Sequence, residues 1–459
     1  MRGNVWEENR RPCPGQWAKI TSRFYSRNFQ TVVFCDPKAQ SYEGFLAENS
    51  DKLRALISEQ MAGLPVERHD PAAGLPLQVT PFGAREVSAV LDVLLSTWVT
   101  MGKEVASFEE EWADWCGTRH AIMVNSGSSA NLIALASLVH TGVLEPGDEV
   151  LVPAVAWSTT LFPVAQLGLV PVIVDVSPES LGLCPEAAKA AMGPRTKAAM
   201  VVHLLGQPAD VEALQDLGLI VIEDSCAAHG AQIGDKKVGS IGRLGTFSFF
   251  FSHHITTVEG GMVVCSNPAL LDAARSLRAH GWVREMENRE MHAAMSPEID
   301  DRFLFVSNGW NLRPTEMAAA MGRVQLTRLD PWLAKRRENH SLFCDRMEGF
   351  SKQLKCWPEL RGTRHAGFAF PMLLREDSGT SRADLMRHLE SRKIATRPIS
   401  GSNLARQPVF DRLENARVAG ELTVADAIHE RGIFVGNSHA FHEGHADLLE
   451  KAVKEFFDG

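Results

Sequence analysis

The sequence has no closely spaced cysteines, no long apolar run and no excess of positive charge. It also has no lysine anywhere from Val238 to Ala334. Its eight cysteines (Cys13, Cys35, Cys116, Cys184, Cys226, Cys265, Cys344, Cys356) form no CxC or CxxC pair. That spacing suits reduced thiols and disfavours a disulfide framework or a zinc site. No stretch approaches the roughly 20 apolar residues of a membrane span. The opening Met-Arg-Gly-Asn-Val-Trp-Glu-Glu-Asn-Arg-Arg lacks the apolar core of a signal peptide. A formal net charge of −9 argues against a nucleic-acid or anionic-membrane surface, while leaving room for a local anion pocket. The expectation is a soluble cytoplasmic protein.

What is present is a chain of 459 residues, 45% apolar, enough for a sizeable core and more than one domain. Residues 1–78 read as an N-terminal extension, irregular over the first forty, with one helical pattern around Tyr42–Met61 and then a Pro/Gly-rich link. From Pro81 the pattern is regular. Short apolar runs (His120–Val124, Glu149–Val155, Val170–Val176, Ala198–Leu205, Leu219–Glu223, Thr246–Phe251, Gly261–Cys265) alternate with helical stretches. Near-continuous apolar strands between helices predict a mostly parallel α/β sheet covered on both faces. A long helix over Trp332–Phe350 follows Asp330-Pro331 and leads into an α+β tail. The domains are therefore expected at 79–330 (large) and 331–459 (small).

Five segments and a single tryptophan carry chemistry. Asn125-Ser-Gly-Ser-Ser-Ala-Asn131 lies between a strand and a helix, where outward amides favour an anion; a helix capped by Ser128 or Ser129 serves the segment equally well. Ile222-Glu-Asp224 ends a buried strand with carboxylates, where α/β sheets bind ligands. Asp224 suits a protonated pyridine nitrogen, or a capping or salt-bridge role. Trp157 follows a strand at the same edge and suits either stacking on a ring or core filling. Ser248 and His253-His254 precede Glu259-Gly-Gly261. Read as strand neighbours, the two histidines point to opposite faces and are poorly placed to share a zinc ion, so no metal is expected and one of them suits acid–base work. Asn308-Gly-Trp-Asn-Leu-Arg-Pro-Thr-Glu316 opens a small-residue helix that Thr315 or Asn311 can cap, with Pro314 near its first turn. Downstream, Thr396-Arg-Pro-Ile-Ser-Gly-Ser-Asn-Leu404 combines Arg397 and Asn403 in a loop suited to an anion or sugar, or to a solvated turn.

In order and spacing these segments resemble the DegT/DnrJ/EryC1/StrS sugar aminotransferases, from about Leu77 to the C-terminus. The resemblance includes Ser96-Thr-Trp-Val-Thr-Met-Gly102 and Gly436-Asn-Ser-His439. It implies a fold-type I, aspartate aminotransferase-like enzyme that uses pyridoxal phosphate (PLP), built as a homodimer with shared active sites. Carried over by position, Gly127, Ser128 and Ser248 are implied as phosphate contacts, Trp157 as the ring stacked on the pyridine and Asp224 as the partner of its nitrogen. Asn311 is implied as a contact to the neighbouring subunit's cofactor. Ala227 departs from the pattern, because a polar residue often stands there near the cofactor's phenolic oxygen.

The larger departure is His253, which occupies the slot of the family's cofactor-binding lysine. That substitution is similar to the sugar 3-dehydratase branch, and it implies PLP or pyridoxamine phosphate held noncovalently, with His253 as proton shuttle. After His253 only Cys265, Cys344 and Cys356 remain, too few for the four-cysteine ligation of a [2Fe–2S] cluster, so the cluster-free version is expected. The implied partners are a nucleotide sugar, GDP-linked before others, and glutamate, with Arg397 and Asn403 as substrate contacts. An atypical aminotransferase or dehydratase on another substrate, or a catalytically silent cofactor-binding regulator, are the alternatives.

Overall fold

The computed structural model describes residues 39–64 and 66–458. Helix α1 (Ala39–Gln60) accounts for the helical pattern near Tyr42. The irregular reading of residues 1–38 lies outside the described residues.

The strands are β1 (His120–Val124), β2 (Glu149–Pro153), β3 (Val170–Val174), β4 (Thr196–Val202), β5 (Ile220–Asp224), β6 (Gln232–Ile233), β7 (Lys236–Lys237), β8 (Leu244–Ser248) and β9 (Gly261–Cys265), then β10 (Leu354–Cys356), β11 (Thr363–Arg364), β12 (Ala369–Leu374), β13 (Thr396–Pro398), β14 (Arg417–Val418) and β15 (Gly432–Gly436). The helices after α1 are α2 (Ala84–Ser96), α3 (Lys103–Cys116), α4 (Gly127–His140), α5 (Ser158–Gln166), α6 (Pro185–Ala191), α7 (Val211–Asp216), α8 (Pro268–Arg278), α9 (Arg289–Met295), α10 (Glu316–Leu326), α11 (Leu329–Met347), α12 (Arg382–Ser391), α13 (Thr423–Arg431) and α14 (Glu443–Asp458).

Eight strands form one sheet in the order β1-β9-β8-β5-β4-β2-β3-β14. Only β9 runs against its neighbours, pairing antiparallel with β1 and β8; the other pairs are parallel. Both faces of this sheet are buried, as near-continuous apolar strands require. Ile122 and Val124 pack with α4 on one face, whereas Ala121 and Met123 pack with Phe108, Trp112 and Phe247 on the other. A second, four-stranded sheet in the order β10-β12-β15-β13 carries its own core, in which Phe343, Phe370, Val435 and Leu449 are fully enclosed. All of its strands come from beyond residue 353, while β14 returns to the edge of the large sheet.

One expected strand ends early. The apolar run Thr246–Phe251 leaves the sheet after Ser248, and Phe250 and Phe251 lie on the surface. The Phe249 carbonyl explains the departure, because it accepts from Thr257 N at 2.9 Å and from Thr256 Oγ1 at 3.2 Å and so closes a loop. The two consecutive histidines therefore sit in a turn and not in a strand. The long helix begins at Leu329, three residues before the expected Trp332, because Pro331 is tolerated in a first turn where no internal bond is lost.

Candidate active site

Parallel strands β5, β4 and β2 deliver their C-terminal ends to one edge of the large sheet, and the helices that follow start there. Asp224 is the last residue of β5 and is buried. Its Oδ2 accepts from Asn131 Nδ2 at 2.8 Å and from Thr160 Oγ1 at 2.7 Å, and its Oδ1 accepts from Cys226 N at 3.2 Å. Thr246 Oγ1 donates to Asn131 Oδ1 at 2.6 Å, which turns the Asn131 amide nitrogen toward Asp224. Three donors thus hold a carboxylate in place at the edge of a buried sheet.

Glu223, its neighbour in sequence, faces the other way, as strand alternation demands. It accepts from Ile241 N at 2.7 Å, Gly242 N at 2.5 Å, Gly239 N at 2.9 Å and His203 Nε2 at 3.0 Å. His203 Nδ1 accepts from Ala209 N, so the proton of that ring lies on Nε2. Of the two carboxylates, Glu223 pins a loop and Asp224 faces the site.

At the start of α4 the cap is Ser126, whose Oγ accepts from Ser129 N at 3.1 Å; neither Ser128 nor Ser129 fills that role. The chain is already extended at Ser126, one residue before the helix, which frees Ser128 at the surface. Ser128 Oγ donates to Thr159 Oγ1 at 3.1 Å. Gly127 packs so closely that an added Cβ would lie 2.5 Å from Ser248 Cβ and 3.0 Å from Cys226 Sγ. A Cβ on Gly261 would lie 2.3 Å from the Ser126 carbonyl oxygen. The helix start, the end of β8 and the start of β9 therefore form a backbone-lined cup at the positive end of the α4 dipole, suited to a phosphate.

Trp157 stands beside this cup, just before α5, and is 63% exposed, which excludes the core-filling role. His253 lies in the loop that follows β8 and is half-buried. Its Nδ1 is sealed from solvent and its ring packs edge-on against Phe368 at 5.4 Å. Desolvation pulls its pKa down to about 4, against the pull of the Asp224 carboxylate and reinforced by the Arg336 guanidinium. The imidazole is consequently neutral at pH 7 and able to accept a proton. His254 is buried and donates from Nε2 to the Ala366 carbonyl at 3.1 Å. No group of three His, Cys, Asp or Glu side chains among the described residues is arranged to hold a metal ion.

The loop after β13 reaches the same edge, since Leu404 N donates to the Ala154 carbonyl and Gly401 touches Ala156. Here the structure corrects the reading of Asn403 as a substrate contact. That side chain is fully buried, donates to Asp426 Oδ1 at 2.7 Å and accepts from Ala405 N at 3.0 Å, so no polar atom is left for a ligand. Arg397 is exposed and donates to the Thr396 carbonyl at 2.8 Å. Asn311 is exposed and accepts from Arg313 Nε at 3.0 Å. Thr315 caps α10, which leaves Pro314 before the cap and outside the first turn. Glu316 reaches back to the amides of Gly102, Glu104 and Val105 at the start of α3.

Sequence reasoning missed Asn131 and Thr160, whose side chains hold Asp224, and Thr246, which orients Asn131. The available signal was a polar side chain in an otherwise apolar helix or strand. Arg336 was also missed. It is buried in α11, donates to the Phe368 and Asn437 carbonyls at 3.3 and 2.5 Å, and has its pKa lowered to about 10 by burial.

Residues 82–454 match the model of the DegT/DnrJ/EryC1/StrS aminotransferase family. A GDP-4-keto-6-deoxy-D-mannose 3-dehydratase of Yersinia pseudotuberculosis is 35% identical over 392 residues, covering 83% of this chain and 97% of the relative. The solved structure of an E. coli GDP-4-keto-6-deoxy-D-mannose-3-dehydratase with bound hydrated PLP superposes with a TM-score of 0.79 at 34% identity, covering 83% of this chain and 99% of that one. A GDP-4-keto-6-deoxymannose-3-dehydratase with a trapped PLP-glutamate geminal diamine gives 0.77 at 32% identity, over 83% and 100% of the two chains. The α/β architecture is that of the PLP-dependent aminotransferase fold.

Proposed function

The chain belongs to the DegT/DnrJ/EryC1/StrS aminotransferase family, and from that membership we propose that it is a PLP/pyridoxamine phosphate-dependent 3-dehydratase. Its substrate is a nucleotide-linked 4-keto-6-deoxyhexose, GDP-linked as in the relatives' names, and glutamate is the amino donor. The observation that carries this reading is His253, a neutral imidazole on the loop after β8, in a stretch from Val238 to Ala334 that has no lysine to bind the coenzyme covalently.

The residues present fit that coenzyme. The cup of Gly127, Ser128 and Ser248 suits its phosphate, and a Cβ on Gly127 would close it. Exposed Trp157 offers a flat face for its ring, and Asp224 offers a carboxylate for the pyridine nitrogen. Bound pyridoxamine phosphate supplies an amine for the 4-keto carbon and an electron sink through which the C3 hydroxyl is lost.

The protein's own part is to orient and to move protons. Asn131, Thr160 and the Cys226 amide keep Asp224 aimed at the site edge. In each half-reaction His253 takes one proton at its unsealed Nε2 and gives it up again, in the first to the departing C3 hydroxyl, a general acid–base role worth about 10²–10⁴-fold. Arg397 carries substrate charge from the loop beside Trp157. Exposed Asn311 supports a homodimer in which it reaches the neighbour's coenzyme. None of the described helices is long and apolar enough to cross a membrane, and the described cysteines are all free thiols; both fit a cytoplasmic enzyme.

The test is the purified enzyme with PLP, glutamate and GDP-4-keto-6-deoxymannose. Release of ammonia and 2-oxoglutarate with a sugar lighter by one water is expected. A sugar product bearing a new amino group would defeat the reading.

A further inference from the structure

His229 takes no part in that chemistry, yet burying it carries a cost. It follows β5 and is completely buried, edge-on to Trp112 at 5.5 Å, Phe247 at 5.6 Å and Phe249 at 5.8 Å. Neither ring nitrogen makes a hydrogen bond of normal geometry. A phenylalanine would fill such an aromatic box without burying unpaired polar atoms.

The remaining side of the ring explains why an imidazole is there. His254 lies 5.0 Å away and His253 6.3 Å away, centroid to centroid. His254 Nδ1 and His253 Nδ1 are buried and unpaired as well, so three neighbouring imidazoles carry four buried, unpaired ring nitrogens. The charged groups facing the cluster are Asp224, which favours a proton on His253, and Arg336, which disfavours one on all three rings. The Ser248 backbone favours a proton on His229 without outweighing burial, and the neutral ring carries a single N–H, so one of its nitrogens is a bare acceptor.

A neutral histidine has one N–H. For His253 to accept a proton at the unsealed Nε2, its own proton must sit on Nδ1, the sealed atom. An acceptor behind Nδ1 fixes that tautomer. We propose that His229 is this acceptor: a positioning residue that holds the Nδ1–H tautomer of His253 through one shared water, the two ring centroids lying 6.3 Å apart. The inference rests on the reading of His253 as the base. No bond is made or broken at His229; it keeps its hydrogen bond while His253 gains and loses the proton at Nε2.

The experiment compares wild type with His229→Gln, which retains an acceptor, and His229→Phe, which retains only the packing. Histidine-ring ¹⁵N NMR of the coenzyme-free protein reports the His253 tautomer, assigned by its loss in His253→Asn. Exchange of the glutamate α-proton on the PLP-loaded enzyme reports function. Expected are a dominant Nδ1–H tautomer in wild type and His229→Gln, and a shift to Nε2–H in His229→Phe. In that variant kcat for exchange falls tenfold or more with KM for glutamate unchanged, and His229→Gln recovers most of the loss. Equal losses in both variants, or a His229→Phe enzyme with wild-type rate and tautomer, overturn the proposal. If His229→Phe does not fold, the wild-type tautomer decides alone, and a proton on Nε2 overturns it. Undiminished exchange in His253→Asn would instead defeat the reading of His253 as base, leaving the tautomer measurement to judge His229 separately.

Discussion

Asn131 Nδ2 lies 2.8 Å from Asp224 Oδ2, a contact that joins the second turn of α4 to the end of β5. Because Thr246 Oγ1 is bonded to the other end of the amide, the asparagine cannot turn away and still satisfy both of its partners. The pair makes the carboxylate's position a property of the sheet and helix and not of a loop. Hydrogen bonds to charged groups contribute about 1.5–3 kcal/mol. Asn131→Leu should therefore weaken PLP binding about tenfold or more, read by absorbance titration, with circular dichroism unchanged. Unaltered affinity in that variant would show that the contact does not orient Asp224 for the coenzyme.

Much of this site was legible in the sequence, and the boundary has physical causes. Asp224 stood out because a carboxylate at the end of a buried strand has few structural reasons to be there, and His253 because it fills the slot of the family's lysine. Asn131, Thr160 and Thr246 did not, because a single polar side chain in an apolar segment shows its partner only after packing brings α4, α5 and β8 together. The helix cap was misplaced by two or three residues, since serine at 126, 128 or 129 has the same capping chemistry and only the extended backbone at Ser126 decides among them. Asn403 misled for the opposite reason: an amide in a loop among small residues reads as exposed, yet it is spent on Asp426 and on its own turn.

Replacing His253 separates proton transfer from binding. His253→Asn should lose about 10²–10⁴-fold in glutamate-driven amine formation while PLP still binds, as expected when a general base is removed. His253→Lys restores a primary amine in a lysine-free stretch, and the expected outcome is a borohydride-reducible covalent bond to the coenzyme. A wild-type enzyme that already gives a reducible protein adduct would place the coenzyme elsewhere in the chain.

Burial lowers the pKa of several rings: His253 and His445 to about 4, His439 to about 3, and His229, His254 and His365 well below the usual value. In the unfolded chain each returns to about 6.5. Between the folded and unfolded values the unfolded state binds more protons, so stability rises with pH there and is lost as pH falls from about 6.5 toward 4. Thermal melts should show Tm flat above pH 7 and falling steeply below about 6.5. The initial rate of glutamate proton exchange should show no acid limb near 6.5, since the neutral form of His253 persists in the fold. An exchange rate that halves near that pH while the protein stays folded would contradict a desolvated His253.

The loop after β13 separates a structural residue from a substrate contact. Asn403→Ala removes the cap of the Leu404–Arg406 turn and one donor to Asp426, at a cost of about 1–3 kcal/mol. A lower Tm with KM for the nucleotide sugar unchanged is expected. Exposed Arg397 should behave in the opposite way, with Arg397→Ala raising KM several-fold and leaving Tm alone. A reversal of the two phenotypes would mean that the loop opens to expose Asn403.

Gly127→Ala tests whether the cup depends on close backbone approach. The added methyl would lie 2.5 Å from Ser248 Cβ, an atom fixed by the end of β8, and 2.9 Å from Ser248 Oγ. Something must shift, and Ser248 Cβ cannot move without its backbone, so α4 and β8 separate where phosphate is expected to bind. Overpacking of this kind costs about 1–3 kcal/mol, and the coenzyme's Kd should rise at least tenfold. Ser248→Ala leaves the offending Cβ in place and gives no relief. Ser248→Gly removes it, so Gly127→Ala combined with Ser248→Gly should regain Tm relative to Gly127→Ala alone. The lost serine hydroxyl keeps coenzyme binding below wild type even then. Equal Tm in the single Gly127→Ala and the double variant would show that crowding against Ser248 is not what keeps a glycine at position 127.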